Sequence, residues 1–399
     1  MGPDEDELIT DLTDDVPPAL PLDSELRPRR AQPDSAPSPG RSTMRPLRSR
    51  STMRDVAQLS GVSIKSVSRV VNQDPNVSPK MRERVDRAVR QLGFVPDASA
   101  AALRRSDHRT RILGVVLQDL GNHFSSRLFH QLENSPRLRN YALLTASLEE
   151  RPKKERRIVN DLLERRVDGL ILTPTSSNQE YLQASVDAGL AVICVDRRPS
   201  GLSVDSVTTD NWLGAVKGTE HLISRGHRRI AFLGDFTAIE SSNDRLAGHL
   251  DALRSAGIVA DPRLIYTGIR SVEDGRAALD ALFLAGVEFT AVFSARNDLT
   301  VGAVSCLQAK GLQHEIGLVG FDDTPMSRLL DPPLTVVEQD IEVLADHTAE
   351  RIIARVGGDD SAVHDIVVAP HLIERGSGEI PIATRPGPVR LPGRRSAGR

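Results

Sequence analysis

From residue 111 onward, short apolar runs alternate with longer segments in which apolar residues recur at helical spacing. The runs that predict buried parallel strands are 112–117, 142–145, 169–172, 191–195, 230–233, 264–266, 291–294 and 317–320. The segments that predict helices between them lie near 124–139, 153–166, 178–188, 211–225, 244–256, 273–285 and 298–311. Because strand and helix alternate throughout, the pattern predicts an α/β body made of two doubly wound lobes, each with a parallel sheet between helices.

Residues 52–72 show helical periodicity without any strand pattern. Thr52 is a suitable N-cap for a first helix, which Gly61 can end in a left-handed conformation. Ser63 is a suitable N-cap for a second helix, in which valines recur at i, i+3 and i+4 from Val67. Two short helices joined by a tight turn are the sequence form of a helix-turn-helix, whose second helix fits the DNA major groove. An ordinary surface helical hairpin is the alternative that this segment alone leaves open.

The segment that follows favours the helix-turn-helix. Ser78 and Pro79 begin a third helix, an apolar stripe runs along it, and Gly93 ends it. Three helices of this size can bury a small core. Residues 97–105 form an alanine-rich stretch that is too short for a stable helix alone, so we expect it to order only against another surface.

The distribution of charge supports nucleic-acid binding by this part of the chain. Residues 51–110 contain eleven Lys and Arg against six Asp and Glu, whereas the whole chain carries a net charge of −3. The positive charge is therefore local, and phosphate contacts there would make affinity fall as salt rises. Arg69 can make a bidentate contact to guanine O6 and N7. Arg82 and Arg84 are expected to be solvated charges.

The remaining composition is typical of a soluble, multi-domain protein of a reducing compartment. The chain is 39% hydrophobic and 26% charged, and no apolar run approaches the roughly 20 residues of a membrane span. Its acidic N-terminus lacks the basic-then-apolar pattern of a signal peptide. Cys194 and Cys306 are expected to be small buried hydrophobic residues, without a disulfide or a metal. We expect a cytoplasmic, nucleoid-associated protein without a cofactor or membrane contact.

Two terminal segments differ from the rest in composition. Residues 1–50 are acidic at first and then rich in proline, serine and arginine, which predicts a disordered tail. Residues 381–399, rich in proline and arginine, predict a second disordered tail.

Seven segments carry a resemblance to the lactose/galactose repressor (LacI/GalR) family. They are DVAQLSGVSIKSVSRVVN at 55–72, VSPKMRERVDRAVRQLGFVPD at 77–97, LISRGHRRIAFLGD at 222–235, DRLAGHLDAL at 244–253, RNDLTVGAV at 296–304, LVGFDDTP at 318–325 and LTVVEQD at 334–340. The resemblance covers residues 52 to about 378 and implies the lobes of periplasmic sugar-binding proteins. It implies a DNA-binding domain at 51–96, a hinge at 97–108 and an effector-binding and dimerisation domain at 109–380. Lobe 1 would comprise about 109–208 and 341–367, and lobe 2 about 209–340 and 368–380.

The resemblance also implies which residues meet DNA. In the family, residues matching Ile64, Lys65 and Arg69 reach base edges, and the residue matching Leu103 is wedged between central base pairs in the minor groove. Inserting such an apolar side chain unstacks a base step, a cost that wider contact offsets. The candidate DNA-binding residues are Thr52, Ser63, Ile64, Lys65, Ser68, Arg69, Asn72, Ser99 and Leu103.

Polar residues cluster directly after the predicted strands, where lobes of this kind bind ligands. Carboxylates and amides beside arginines can bind vicinal hydroxyls through several directed hydrogen bonds, as a sugar or nucleoside requires. The family uses positions matching Asp196, Arg245, Asn297, Asp298 and Asp322 in its effector cleft. The candidate effector-binding residues are Asn122, Phe124, Asp196, Arg245, Arg270, Asn297, Asp298 and Asp322. Structural salt bridges at Arg245 and Asp298, and a turn at Asp322, are the alternatives.

Three departures from the family pattern bear on the effector. His123 replaces a usual proline, Ser125 replaces an aromatic residue, and Arg270 replaces an aromatic residue that often stacks on the effector. The loss of stacking surface argues against a neutral hexose, and an arginine cluster would favour a phosphorylated or acidic effector. The arginines concerned are Arg197, Arg245, Arg270 and Arg296.

The predicted function is sequence-specific transcription regulation, most simply repression. A homodimer would contact a pseudo-palindromic operator, one half-site for each protomer. A sugar, sugar-phosphate or nucleoside-like effector between the lobes would change the spacing of the paired hinges, as inducer or as corepressor. A periplasmic receptor would share the lobes but lack residues 52–105. An enzyme is disfavoured because the chain lacks GxxxxGK[ST], GxSxG and HExxH motifs, and His227 is expected to be structural, so no catalytic or metal-binding residues are predicted.

Overall fold

The computed structural model describes residues 51–71, 74–95 and 109–382. The chain divides into two compact units, Met1–Pro96 and Asp97–Arg399. We call the described part of the first unit the head and that of the second the body. Asn72, Ser99 and Leu103 and both predicted disordered tails (except 381 and 382) lie outside the described residues.

The head consists of three helices, α1 (Met53–Ser60), α2 (Ile64–Val71) and α3 (Pro79–Leu92). A capping box begins α1, because Thr52 and Asp55 each accept a hydrogen bond from the other residue's backbone amide. Gly61 ends α1 with φ 63°, which turns the chain into α2. One small apolar core joins the helices, and it is formed by Val56, Ala57, Val67, Val70, Val77, Val85, Ala88 and Phe94. The predicted helix-turn-helix is confirmed.

Six strands form the first sheet of the body, all of them parallel. They are β1 (Ile112–Leu117), β2 (Ala142–Ser147), β3 (Gly169–Leu172), β4 (Ala191–Val195), β5 (Asp205–Thr209) and β11 (Asp365–Val368). Their order is β11-β5-β4-β3-β1-β2. The helices of this lobe are α4 (His123–Asn134), α5 (Pro152–Glu164), α6 (Gln183–Asp187) and α11 (Ile341–Val356). The apolar faces of α4 and α11 pack into one core with the sheet, while α5 packs into another core on the opposite face.

Six further strands form the second sheet. They are β6 (Ile230–Leu233), β7 (Ile265–Tyr266), β8 (Ala291–Ser294), β9 (Gly317–Phe321), β10 (Thr335–Glu338) and β12 (His371–Ile373). Their order is β12-β10-β9-β8-β6-β7, and only β12 is antiparallel to its neighbour. The helices of this lobe are α7 (Asn211–Ser224), α8 (Glu240–Ser255), α9 (Val272–Leu284) and α10 (Asn297–Lys310). The core on one face includes residues of α7 and α8, and the core on the other includes residues of α9 and α10.

The predicted pair of doubly wound lobes is therefore confirmed. The chain passes between the two sheets after β5, after β10 and after β11, which brings the C-terminal ends of both sheets to one cleft.

Three helix predictions were wrong at their ends. The helix predicted over 124–139 ends at Asn134, because Ser135 precedes Pro136 and takes an extended conformation with ψ 125°. The helix predicted over 178–188 is a 3-10 turn followed by the five-residue α6. The helix predicted from 244 begins at Glu240, because buried contacts stabilise a first turn whose Ser241 and Ser242 have weak helix propensity.

Three further sequence predictions concern isolated residues of the body. Cys194 and Cys306 are buried, as predicted. His227 is fully buried, donates from Nε2 to the Ile380 carbonyl at 2.8 Å, and contacts the Thr290 hydroxyl through Nδ1 at 3.0 Å. Burial lowers the pKa of His227. Its predicted structural role is confirmed.

Candidate DNA-binding and effector-binding sites

The N-terminal half of α2 has an exposed face that combines polar side chains with the apolar Ile64. The Ser63 hydroxyl accepts a hydrogen bond from the Ser66 amide at 3.1 Å, which caps the helix. Ile64 is 46% exposed although it is apolar, and Lys65 beside it is exposed. Ser68 is partly buried one turn further along. The valines of α2 point the other way, into the head core, so this face is available to a groove of DNA.

Arg69 is not an open side chain in this structure. Its Nε donates to Asp74 at 2.8 Å, and its Nη2 donates to the Asn76 carbonyl at 3.3 Å. The guanidinium is therefore held against the loop between α2 and α3. Because the pair is exposed, water screens it and its rupture costs little. Base contact by Arg69 stays a prediction that requires this rupture.

Arg84 is exposed, as expected of a solvated charge, and Arg82 is partly buried, but both also bind backbone carbonyls. Arg84 donates from Nε and Nη2 to the Ser60 carbonyl at 3.2 and 2.7 Å, and also to the Gly61 carbonyl at 2.9 Å. Arg82 donates to the Asp74 carbonyl at 2.9 Å. Both side chains therefore bind backbone carbonyls beside loops. Arg84, on α3, donates to the carbonyl groups at the C-terminus of α1 that have no partner within that helix.

Replacing Arg84 with alanine is expected to destabilise the head by about 1.5–3 kcal/mol, the usual contribution of hydrogen bonds to a charged group. Hydrogen exchange of residues 51–95 in the full chain measures this, because local opening of the head becomes more frequent. Arg87→Ala is the matched control, since Arg87 lies on the same helix, is largely exposed and pairs only with Glu83 among the described residues. Equal exchange in the two variants would contradict a structural role for Arg84.

The cleft of the body lies at the C-terminal ends of the strands of both sheets. The space between its lining residues is about 440 Å³, open solvent included. Six of its lining residues follow strands β1, β4, β6, β8, β9 and β10 by one or two positions: Gln118, Asp196, Asp235, Arg296, Asp322 and Gln339. Helix starts supply others, including Asn122 and Phe124 at α4 and Asn297 at α10. The sheets therefore converge many hydrogen-bonding groups on one small volume.

Two carboxylates of the cleft lie on backbone that non-glycine residues rarely adopt. Asp196 has φ 72° and Asp322 has φ 71°, each directly after its strand. Such conformations cost free energy and cluster at functional sites, although Asp tolerates them better than most residues. Burial raises the pKa of Asp196, against the opposing effect of the nearby Arg197 and Arg245. Gln339 donates to Asp322 at 2.7 Å, which fixes the orientation of that carboxylate.

Arg245 is buried at the centre of the site. Its Nε donates to Asn211 and its Nη1 to the Ala295 carbonyl, both at 2.8 Å. Its guanidinium lies 3.6 Å from the ring centroid of Phe321. Among the described residues, no carboxylate lies within ion-pairing distance of it, so the alternative of a structural salt bridge is wrong. Burial lowers the pKa of Arg245.

The other three arginines are paired with carboxylates. Arg197 is buried and binds Glu150 through both terminal nitrogens, at 2.9 and 2.5 Å. Arg270 and Arg296 bind opposite oxygens of the buried Asp235, at 2.9 and 3.0 Å. The lining of the cleft contains three carboxylates and three guanidinium groups, so positive charge is not in excess. This geometry does not support the expectation of an anionic effector.

Several hydrogen bonds join the two lobes across the cleft. Asn122 donates to Asn297 at 2.8 Å and to Asp298 at 3.1 Å. At the other side of the opening, Arg198 pairs with Glu240 at 2.6 Å. Because each bond has one partner in each lobe, any opening of the cleft breaks these bonds.

The candidate effector residues divide into two groups. Six line the cavity: Asn122, Phe124, Asp196, Arg245, Asn297 and Asp322. Arg270 and Asp298 do not. Arg270 lies behind Asp235, and Asp298 pairs with Arg296 at 3.0 Å while it accepts the bond from Asn122. Their direct contact with an effector inside the cavity therefore stays a prediction.

Sequence reasoning missed Ser241 and Ser242, which lie in the first turn of α8, and it missed three polar residues at strand ends, Gln118, Asp235 and Gln339. The signal was available for these three, because each follows a strand by one or two positions, as the predicted Asp196 and Asp322 do. Asn211, which orients Arg245, also follows a strand by two positions, but that strand, β5, was not predicted from the sequence.

No helix within the described ranges is long and apolar enough to cross a membrane.

Comparisons with known proteins agree with this architecture. Family models of lacI-family bacterial regulatory proteins and of a periplasmic binding protein-like domain match residues 52–97 and 219–378. The HTH-type transcriptional regulator GalR of Escherichia coli (strain K12) is 31% identical over 334 residues, 83% of this chain and 96% of that protein.

Two solved structures are similar to this chain over the head and the body. The Lac repressor dimer bound to operator and the anti-inducer ONPF aligns with TM-score 0.70 and 27% identity, over 84% of this chain and 100% of that one. A transcriptional regulator CelR–cellobiose complex aligns with TM-score 0.60 and 29% identity, over 82% and 100%. These relatives are regulators rather than enzymes. The chain therefore belongs to the lacI family of bacterial regulatory proteins, and it is a DNA-binding transcriptional regulator.

Proposed function

We propose that this regulator is a homodimeric repressor whose affinity for a pseudo-palindromic operator changes when a neutral, polyhydroxylated effector occupies the cleft. The observation that carries this proposal is Arg245, a buried guanidinium without an ion-pair partner among the described residues, in a cavity that also exposes Asp196 and Asp322. Vicinal hydroxyls can accept from the guanidinium while they donate to the carboxylates.

An unsatisfied buried donor beside the cavity also supports a hydrogen-bonding ligand. The Nε atom of Arg197 is buried without a hydrogen-bond partner among the described residues, although the side chain lines the cavity. A buried donor without an acceptor costs about 1–3 kcal/mol, and a ligand oxygen would recover that cost once opening of the cleft exposes the Nε atom. Sugars and nucleosides offer such oxygens at several positions.

The balance of charge favours a neutral ligand over an anion. Three guanidinium groups and three carboxylates line the cavity, and a phosphate would have to approach Asp196, Asp235 and Asp322. The negative charges of the phosphate and of these carboxylates would repel each other strongly in a poorly hydrated site. We therefore propose a sugar or nucleoside rather than a sugar phosphate.

A second copy of the chain is the proposed partner of an apolar groove on the second lobe. The groove is lined by residues of α10 and of the loop after β9, among them Val301, Val304, Met326, Leu330 and Leu334. Met326 and the neighbouring Leu329 are 60% and 75% exposed. Apolar patches of this kind mark association surfaces. The Lac repressor is described as a dimer in its operator complex, which supports the same assembly here.

The effector would act through the bonds between the lobes. It can shift the equilibrium only by its different affinity for the DNA-competent and the DNA-incompetent form. Asn122, which caps α4 and also bonds the opposite lobe, links occupancy of the cavity to the relative position of the lobes. We propose no catalytic group at the effector site. Because the proposed target of the protein is operator DNA, we also propose that it acts in the cytoplasm, on the nucleoid.

The test of this proposal is a selection of fragments from the organism's own DNA with the full-length protein. We expect inverted repeats bound by two protomers, with affinity that falls as salt rises. A neutral sugar or nucleoside should then change that affinity by about 5- to 150-fold. No preference over random duplex, or a response to phosphorylated metabolites alone, would refute the proposal.

Replacing Lys65 with alanine is expected to weaken operator binding by about 1–3 kcal/mol, the usual value of a base-edge contact. Binding to random duplex should fall much less, because phosphate contacts made elsewhere remain. Fluorescence anisotropy with the selected operator and a scrambled duplex measures both. Lys80→Ala is the control, since Lys80 is also exposed but lies in the first turn of α3. An equal loss on both duplexes in Lys65→Ala would assign Lys65 to phosphate.

A further inference from the structure

One large aromatic side chain beside the cleft is half exposed. Phe236 has 50% of its surface open to solvent, and it directly follows Asp235, which lines the cavity. The Phe236 carbonyl accepts a hydrogen bond from Ile239, and Ile239 lines the cavity as well. The turn that carries Phe236 therefore forms part of the rim of the cleft.

A guanidinium group is fixed beside this ring. Arg270 lies with its central carbon 5.3 Å from the Phe236 ring centroid. Two hydrogen bonds to Asp235, at 3.1 and 2.9 Å, hold it there. Asp235 is buried and is itself fixed by Arg296 at 3.0 Å. A series of contacts, Arg296–Asp235–Arg270–Phe236, thus leads from the interior of the cavity to its rim.

The opening beside this pair is closed by an exposed ion pair. Arg198 of the first lobe bonds Glu240, the first residue of α8, through its side chain at 2.6 Å and through its backbone amide at 2.9 Å. Both side chains are more than a third exposed, so a ligand can displace or join them at small cost. Glu240 follows Phe236 by four residues across the turn, which puts polar groups and an aromatic ring on one rim.

We propose that Phe236 and Arg270 form an outer subsite for a second ring of the effector. The inference rests on the proposed function: the inner cavity binds a polyhydroxylated ring, and a ring joined to it lies on the Phe236–Arg270 surface. Aromatic faces and guanidinium planes both stack on flat rings and on the apolar face of sugars. Because Asp235 already fixes Arg270, little conformational entropy is lost when the second ring binds.

The second ring can be an aryl aglycone or a nucleobase, since both offer a flat face for stacking. Their common chemistry is a ring joined to the anomeric carbon of the inner sugar. Pairs of probes that differ only in this ring separate the sources. The pairs are methyl and phenyl β-D-glucopyranoside, methyl and phenyl β-D-galactopyranoside, and methyl β-D-ribofuranoside with uridine and adenosine.

Calorimetry with the full-length protein tests the inference. For the sugar that binds, we expect the two-ring probe to bind about tenfold tighter than its one-ring partner, the usual value of one stacking contact. Phe236→Ala should abolish this gain while it changes the one-ring affinity less than twofold. Phe236→Leu, which keeps apolar bulk without an aromatic face, should lose most of the gain. Leu284→Ala is the control, because Leu284 is a large apolar residue, 86% exposed, on α9.

The outcomes separate this inference from the function on which it rests. Binding of a one-ring probe without any gain from the second ring would refute the outer subsite and leave the proposed effector class intact. A gain that persists in Phe236→Ala would also refute it. If no probe of either kind binds, the proposed effector class fails and the outer subsite fails with it. Unfolding temperature, measured for each variant, excludes a loss of fold as the cause.

Discussion

An Arg245→Ala variant is expected to bind the effector about a hundredfold more weakly or worse, and its operator affinity should no longer respond to that effector. The substitution removes a buried guanidinium whose free hydrogen-bonding capacity faces the cavity, together with the cation beside Asp196 and Asp322. Hydrogen bonds to a charged group contribute about 1.5–3 kcal/mol each, and about 2.7 kcal/mol corresponds to a hundredfold in affinity. Calorimetry with the effector found by the operator screen measures the loss.

The chain offers a matched control on the same helix. Arg254 also lies on α8, but its side chain is 77% exposed and pairs with Asp251 at the surface. Arg254→Ala should therefore leave effector affinity unchanged. Arg245→Lys keeps a positive charge but loses the fork that bonds Asn211 and the Ala295 carbonyl, so it should be only partly active. Tight effector binding in Arg245→Ala would exclude this residue from the site.

An Asp205→Ala variant is expected to lose about 3–5 kcal/mol of unfolding free energy, as when one partner of a buried ion pair is removed. Asp205 begins β5 and its side chain is fully buried. It accepts bonds from Arg351 at 2.9 Å, from Arg355 at 3.0 and 2.7 Å, and from the His364 amide at 2.9 Å. The substitution leaves two largely buried guanidinium groups without this carboxylate. Urea unfolding followed by circular dichroism measures the change.

The control for this variant lies on α11. Asp346 is 60% exposed and pairs with Arg137 at 3.0 Å, so Asp346→Ala should change stability little. A small effect of Asp205→Ala, comparable with that of Asp346→Ala, would show that the buried cluster contributes no net stability.

The same carboxylate predicts a dependence of stability on pH. Burial alone would raise the pKa of Asp205, but hydrogen bonds from Arg355, the His364 amide and Arg351 outweigh it and hold the pKa below its usual value. Its contribution is therefore complete above the unfolded-state pKa of about 3.9 and is lost as pH falls through the lower folded-state pKa. The difference between the wild type and Asp205→Ala should be constant above about pH 5 and should shrink below about pH 4.

The amino-acid sequence predicted eight of the twelve described strands, in their order, but not β5, β10, β11 or β12. Five of the strands have the bounds that their apolar runs predict, namely β1, β3, β4, β6 and β8. The Thr52 cap and the Gly61 turn are also as predicted. These features depend on interactions among residues a few positions apart, which periodicity and capping chemistry report directly. The helix-turn-helix and the sites at strand ends follow from the same local signals.

Only the tertiary structure decided which charges meet. Arg84 lies 24 residues from the carbonyl of Ser60 that it binds, and Arg270 lies 35 residues from Asp235. The sequence gives the sign of each charge but not its partner. From the sequence alone, the arginines of the cleft therefore predict an anion-binding site, whereas the structure shows the carboxylates that pair with them. Among the described arginines of the cleft, Arg245 alone has no ion-pair partner, because folding buries it between Asn211, Ala295 and Phe321 rather than against a carboxylate. Pairing at this range depends on how the lobes pack, and that information is not local.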